Sequence, residues 1–477
     1  MKKKISVFVV LLVMFQHTFF LSNAHASIID ETITSELGTS NISVSVRSLD
    51  NGNLIYQNNG DVGIKPASTM KLLTASAALD VLGENYRFTT ELYIDGQVKD
   101  NVLNGNLYVK GGGDPTLQEE NFKTFSNVLK RAGITSISGH LYGDDSMFIG
   151  PQLTPGIAKH DESYYYAART SALTMSPDDD YDSGTILIEV NANTIGKSPT
   201  IDVKPNLSGM IITNKAITVA ANEKNTIEIY REYNTNKIFI TGNIPIGDST
   251  KEWISVLDPT INTLHALKQI LKESGISFSA NSMIDRKVVP TNAELIYTKK
   301  SIPLKSIMTP FLKLSNNGIA DILVKTMGKE QFGVGSLQHG LQVLNDYGRS
   351  IGLEMNQWSF EDGSGMSHSN RITANQLSNL LFLVKNKPYY PTLYNSLPIG
   401  GIQDRLVGGS LKNRFKTPDL INRVVAKTGY ISGVYTLAGY FKAKSGKQYI
   451  FSILTQEQTT IKLSSIDEVV DTFIENY

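Results

Sequence analysis

Cysteine is absent from this 477-residue chain, which removes disulfide scaffolds, zinc ribbons, thiol nucleophiles and iron-sulfur clusters together. A surplus of either charge is missing too, since 45 Lys plus Arg balance 45 Asp plus Glu. With no basic excess and no basic stripe the chain lacks an electrostatic grip on phosphates, so nucleic acid is not an expected partner. The seven His are scattered without ligand spacing, and neither a metal nor an organic cofactor is expected. No residue type dominates, and a hydrophobic content of 41% is that of a globular protein, not of collagen, a disordered chain or an array of short repeats. The length suggests about two to four domains.

A long apolar run is also lacking. The stretch Ile5 to Phe15 follows Lys2, Lys3 and Lys4 and precedes Ala24, His25 and Ala26. It is short for a bilayer span, and charged start, apolar run and small-x-small site together read as a secretory peptide over residues 1–26. An extracytoplasmic protein, secreted to the cell wall or periplasm, is therefore expected, held by its hydrophobic core alone.

The chain changes character along its length. Residues 41–57 alternate apolar and polar around Asp50, Asn51 and Gly52, a β-hairpin pattern. In PASTMKLLTASAALDVLG, Pro66 and Ser68 stand where a helix begins and Gly83 where it stops. Residues 89–257 are strand-rich, 258–275 read as a helix, and further helices are expected near 303–328, 336–352 and 373–385. Strands across 423–454 and a helix near 463–476 close the chain. Strands at both ends with helices between them predict one sheet built from both termini, the strand-rich middle being an insertion.

Three short motifs carry chemistry. Ser68 and Lys71 are three apart on the expected helix, so the amine can reach the hydroxyl, and amides at a helix N-terminus favour an oxyanion. Alone, Ser68 reads equally as a helix cap and Lys71 as a solvated surface residue. Ser315 and Asn317 lie in a link between two helices, where a plain N-cap is the bland reading. Ser279, Ala280, Asn281 repeats the pattern without a second helix to present it. Lys427, Thr428 and Gly429 end a strand, with Gly429 expected to let a ligand backbone approach. Lys444, Ser445, Gly446 reads instead as a hairpin turn between strands.

In this order the three motifs resemble the Ser-x-x-Lys, Ser-x-Asn and Lys-Thr-Gly set of the penicillin-recognising serine acyl-transferases. The long gap from Lys71 to Ser315, YYYAARTSALTM (164–175), DGSGMS (362–367) with Asn370 and Arg371, and LPIGG (397–401) narrow the likeness. They resemble the class C low-molecular-mass penicillin-binding proteins, the D-alanyl-D-alanine carboxypeptidase/endopeptidases of peptidase family S13. The resemblance covers nearly the whole chain after residue 26.

That resemblance implies an α/β (α+β) serine penicilloyl-transferase fold, β-lactamase-like, with an antiparallel sheet flanked by helices and two nested strand-rich inserted domains. The catalytic domain would comprise 27–88 and 276–477, a second domain 89–172 and 258–275, and a third, nested one 173–257. It implies peptidoglycan stem peptides as substrate and β-lactams as covalent inhibitors, peripheral contact with cell wall or membrane, and inserted domains that touch the cell wall or other wall enzymes. Ser68 would be the nucleophile, Lys71 its base, its amine depressed by burial and by the charge of Lys427, and Ser315 a proton relay. Asn317, Lys427, Thr428, Gly429 and Tyr430 would hold substrate, with the Ser68 and Tyr430 amides as oxyanion hole. A side-chain pocket would involve His160, Asp161, Tyr165, His368 and Ile431. Here the chain departs from the family. Ile157, Ala158, Lys159, His160, Asp161 replace a Trp-x-Trp-Asp-Asp stretch, Tyr430 stands for Thr, and His368 for Arg. A rebuilt pocket, or compensation through Asp161 and Ser432, both follow from these changes. A β-lactamase shares the motifs, but no deacylating Glu is identifiable; a non-catalytic wall-binding or β-lactam-sensing protein would keep the fold and lose turnover.

Overall fold

The computed structural model describes residues 28–205, 209–457 and 463–477; the expected secretory peptide, residues 1–26, lies outside them. The N-terminal hairpin forms as Ile42–Ser48 and Leu54–Asn58. It enters a five-stranded antiparallel sheet beside Gln448–Thr455, followed by Val434–Lys442 and, at the edge, Val424–Ile431. Ile42 pairs with Thr455 and Ser48 with Tyr449, so the sheet is built from both ends of the chain.

Strand alternation sends side chains to two separate cores. Ile450 and Leu454 face a helical layer, while Phe451 and Ile453 face the opposite side, against the terminal helix Leu463–Asn476. A helix over residues 28–37, not anticipated from the sequence, packs on that same side through Ile29, Ile33 and Leu37. Their spacing of four was the available signal.

On the other side the helix Lys71–Val81 is surrounded. Every residue from Lys71 to Leu79 is buried, among helices Leu304–Lys313, Asn317–Phe332 and Leu337–Ser350. A helix covered all round has no polar face, and the Ala- and Leu-rich sequence KLLTASAALDV suits that position by propensity and size.

The chain leaves this body at Phe88 and returns at Ser301: Ser301 N donates to Phe88 O (2.9 Å), and Phe88 N to Ser301 Oγ (2.9 Å). Between them a five-stranded mixed sheet holds Thr89–Ile94 beside Leu107–Gly111, its core closed by helices Glu119–Arg131 and Pro259–Glu273. A further set of strands from Thr185–Asn191 to Ser249–Ser255 has its own apolar cluster. One expectation is corrected. Residues 276–300 were grouped with the C-terminal body, but Glu294–Lys300 pairs antiparallel with Thr89–Ile94, and Ile284–Arg286 lies parallel to Leu141–Asp144. The local pattern of a short strand does not say which sheet it joins.

Candidate active site

Ser68 stands in a single 3₁₀ turn, Ala67–Met70, and the α-helix starts only at Lys71. In a 3₁₀ turn, residues i and i+3 eclipse one another. The Lys71 amine therefore lies over the Ser68 hydroxyl, Nζ donating to Oγ at 2.9 Å. The expected contact is made, through a tighter turn than the α-helix that the spacing suggested.

Lys71 is wholly buried and spends its other two bonds on Asn317 Oδ1 (2.6 Å) and Ser364 O (2.8 Å). Ser364 belongs to the DGSGMS string. There Asp362 accepts from Gly365 N (2.6 Å), Ser367 N (2.6 Å) and Asn370 Nδ2 (3.1 Å), which folds the string into a fixed cradle. Gly365 has φ +87°, and a Cβ on it would meet Ala67 O at 1.8 Å, so only glycine lets the cradle lie against the Ser68 turn. Burial brings the Lys71 amine down to about 7, against the pull of the Asp362 and Asp321 carboxyls. Repulsion between the two lysines weighs instead on Lys427, held well below the usual lysine range by burial and then by Lys71. Of the two causes expected for Lys71, burial is its largest.

Ser315 occupies the left-handed region, φ +64°, between the helices ending at Lys313 and starting at Asn317. Lys427 Nζ donates to its hydroxyl (2.8 Å) and to Thr428 O (2.8 Å). Asn316 fixes this turn: its Nδ2 donates to Asp180 O (3.2 Å), Tyr181 O (3.0 Å) and Asp182 Oδ1 (2.8 Å), while Oδ1 caps Ile319 N (2.9 Å). The turn is thus tied to the segment 180–182. Asn317 Nδ2 donates to Tyr166 O (2.8 Å), linking the buried amine to the Tyr-rich segment.

On the edge strand, Ala426 N donates outward to Pro398 O (2.9 Å). The two-residue period then turns the Thr428 and Tyr430 amides to the same open edge. A Cβ on Gly429 would meet Thr436 Oγ1 at 2.1 Å, Ser68 N at 2.9 Å and Pro66 O at 3.0 Å. On the side where a Cβ would stand, Gly429 is therefore approached by the protein's own Ser68 turn. Thr428 turns its hydroxyl to Ser410 Oγ (2.7 Å), a partner the motif did not announce.

Ser68, Ser315, Asn317 and Tyr430 line one cavity of about 480 Å³. His160, Asp161, Tyr165, His368 and Ile431 line it too, together with Ser432. Lys71 and Lys427 lie buried behind its floor. Asp161 accepts from the Tyr166 hydroxyl (2.9 Å) and lies 3.5 Å from His160 Nε2. Burial, then Lys65 and Arg371, hold the His368 imidazole below its usual value, with Asp161 opposing. The wall carrying His160 and Asp161 is pinned from the nested strands. Buried Glu162 accepts from Arg169 Nη2 (2.5 Å) and pairs with Arg231 (3.4 Å), and Arg231 N donates to Ser163 Oγ (2.7 Å). Arg231 was not legible as part of this wall, since Glu162 and Ser163 lie nearly seventy residues before it in sequence.

A D-alanyl-D-alanine carboxypeptidase of Actinomadura sp. (strain R39) is 33% identical over 413 residues, 84% of this chain and 75% of the relative. DacB of Haemophilus influenzae is 26% identical over 86% of this chain and 84% of its own. The crystal structure of penicillin binding protein 4 (dacB) from Haemophilus influenzae has the same fold, with a TM-score of 0.79 at 22% identity, covering 94% of this chain and 99% of that one. The model of the D-Ala-D-Ala carboxypeptidase 3 (S13) family matches residues 24–477, a span that takes in all three motifs, and the chain belongs to that family.

Proposed function

We propose that the protein is a D-alanyl-D-alanine carboxypeptidase that works through a Ser68 acyl-enzyme on peptidoglycan stem peptides outside the cytoplasm. The observation that carries this reading is the 2.9 Å bond from a fully buried Lys71 to Ser68. A neutral hydroxyl attacks an amide poorly, so its proton must leave as the C–O bond forms. An amine brought down to about 7 can be neutral near neutral pH and take that proton. The Ser68 and Tyr430 amides receive the oxyanion. Ser315, polarised by Lys427, passes a proton to the departing amine as the proton that Lys71 took from Ser68 replaces its own, and the C–N bond breaks. Water then frees the acyl group from Ser68. Penicillin acylates the same oxygen, but its ring amine stays tethered and hinders that second step. Carboxypeptidase and endopeptidase action differ only in the leaving amine, so the same groups serve both. Among the described residues no helix is long and apolar enough to cross a membrane.

The side-chain pocket supports a narrower reading. Asp161 remains as an acid, but it is shared with Tyr166 and flanked by His160, and His368 shares the cavity. Such a pocket selects a free side-chain amine less strongly than a pair of unshared acids would, which favours cleavage of cross-links. A preference above about a hundredfold in kcat/KM for amine-bearing D-Ala-D-Ala peptides would refute this.

The decisive experiment measures D-Ala release from a wall pentapeptide and cephalosporin turnover on one preparation, with Ser68→Ala as control. Release of D-Ala with a long-lived cephalosporin adduct, both lost in the variant, is expected. Rapid cephalosporin turnover would make the protein a β-lactamase, and adduct without D-Ala release a sensor.

A further inference from the structure

The helix Asn317–Phe332 carries a second buried carboxyl toward the catalytic amine. Asp321 lies one turn beyond Asn317 on the same face, and Asn317 Oδ1 is what holds Lys71 Nζ. Asp321 Oδ2 accepts from Thr154 Oγ1 (2.5 Å), whereas Asp321 Oδ1 is buried with no partner among the described residues. Its neighbour Asp362 is bonded by three donors, which favour its anion against the burial that raises it. An anionic Asp321 would instead leave a charged oxygen bare in a dry site, a cost that is smaller for the uncharged acid.

We infer that Asp321 and Lys71 hold one proton between them, and that Asp321 carries it while Lys71 acts as base. This rests on the reading of Lys71 as the base for Ser68. The charged groups facing the pair are Asp362 from the cradle, Lys325 one turn further along the helix, its Nζ bonded to Pro151 O (2.8 Å), and Lys427 facing Lys71. Burial raises the Asp321 carboxyl to about 7, against the Thr154 bond and then the charges of Lys325 and Lys71, and lowers the Lys71 amine to about 7, against Asp362 and then Asp321. The charge-separated and neutral states of the two sites contain the same number of protons, so the two titrate as a unit. Moving the proton breaks an N–H bond of the Lys71 ammonium and forms the O–H bond of the Asp321 acid. Lys71 can then take the Ser68 proton with no net loss to solvent. Asp321 touches no substrate and acts through Lys71.

The test is the second-order rate of Ser68 acylation by a chromogenic cephalosporin from pH 5 to 9, on the full chain. The wild type should rise in two steps, since the pair with one proton is partly active and the pair with none fully so. Asp321→Asn should rise in a single step. Thr154→Val removes the one bond favouring the anion and leaves the pair in place. It should lift the intermediate plateau severalfold, because one hydrogen bond to a charged oxygen shifts the ratio of neutral to ion pair by about tenfold or more. If Asp321→Asn fails to fold, Thr154→Val decides alone. An unchanged plateau in Thr154→Val, a two-step profile in Asp321→Asn, or loss by one factor at every pH overturns the inference. Acylation that survives Ser68→Ala would overturn the parent reading, and this one with it.

Discussion

Adding a single methyl group at Gly429 tests how the edge strand and the nucleophile turn are fitted together. The new Cβ of Gly429→Ala would meet Thr436 Oγ1 at 2.1 Å and, on the other side, Ser68 N at 2.9 Å. Gly429 is not in the left-handed region, so contact is the whole cost. Overpacking of this kind costs about 1–3 kcal/mol, or roughly 2–4 °C in Tm per kcal/mol for a domain of 150–250 residues. The second contact pushes an amide expected in the oxyanion hole, and a lost donor there slows acylation by about 10²–10³-fold. The two effects separate in the double variant Gly429→Ala/Thr436→Ala. It removes the nearer contact, at the loss of the Thr436 bond to Pro66 O (2.8 Å), but leaves the one with Ser68 N. Acylation by a chromogenic cephalosporin and thermal unfolding should show Tm partly recovered and the rate still low. A Gly429→Ala enzyme with unchanged Tm and rate, or a double variant with restored rate, would refute the reasoning.

Three other outcomes are expected. Lys71→Arg should lose on the order of a thousandfold or more in acylation, because a guanidinium stays protonated; near-wild-type penicillin labelling would remove Lys71 from the role of base. Asn316→Ala breaks three bonds to the 180–182 segment and the Ile319 cap, and should lower stability by about 1–3 kcal/mol in denaturant unfolding, with a larger proportional loss in acylation than in stability-matched surface variants. Asp161→Asn should abolish whatever preference remains for an amine-bearing stem peptide while leaving acylation by a small cephalosporin within a few fold, read as paired kcat/KM values.

What could be read in advance was what depends on local chemistry. Ser68, Lys71, Ser315, Asn317 and Lys427 were visible because hydroxyls and amines at those spacings have few other uses in combination, and the hairpin at 41–57 because its alternation is local. The competing Lys444, Ser445, Gly446 string does fall in the turn between Val434–Lys442 and Gln448–Thr455. Long-range partners were not visible. The carbonyl of Ser364 that receives the Lys71 amine is a backbone group with no residue signature, and Asp321 looks in sequence like any acid in the first turns of a helix. Residues 276–300 went to the wrong sheet because Glu294–Lys300 finds its partner two hundred residues earlier, at Thr89–Ile94.

The central sheet has a consequence for how the protein reaches its native state. Its hairpin at 42–58 is stitched to 448–455, so nearly the whole chain must be present before the sheet can close. Closing a loop of that length costs entropy before any contact repays it, and such non-local pairing makes folding slow. The segment between Phe88 and Ser301 has its own apolar clusters and ends that meet, so it can condense while the hairpin still waits. Until the last strands arrive, Ser68 has its turn but no Gly429 beside it. The cavity lined by Ser68, Ser315, Asn317 and Tyr430 is then the last part of the molecule to be completed, and an incompletely folded chain lacks it.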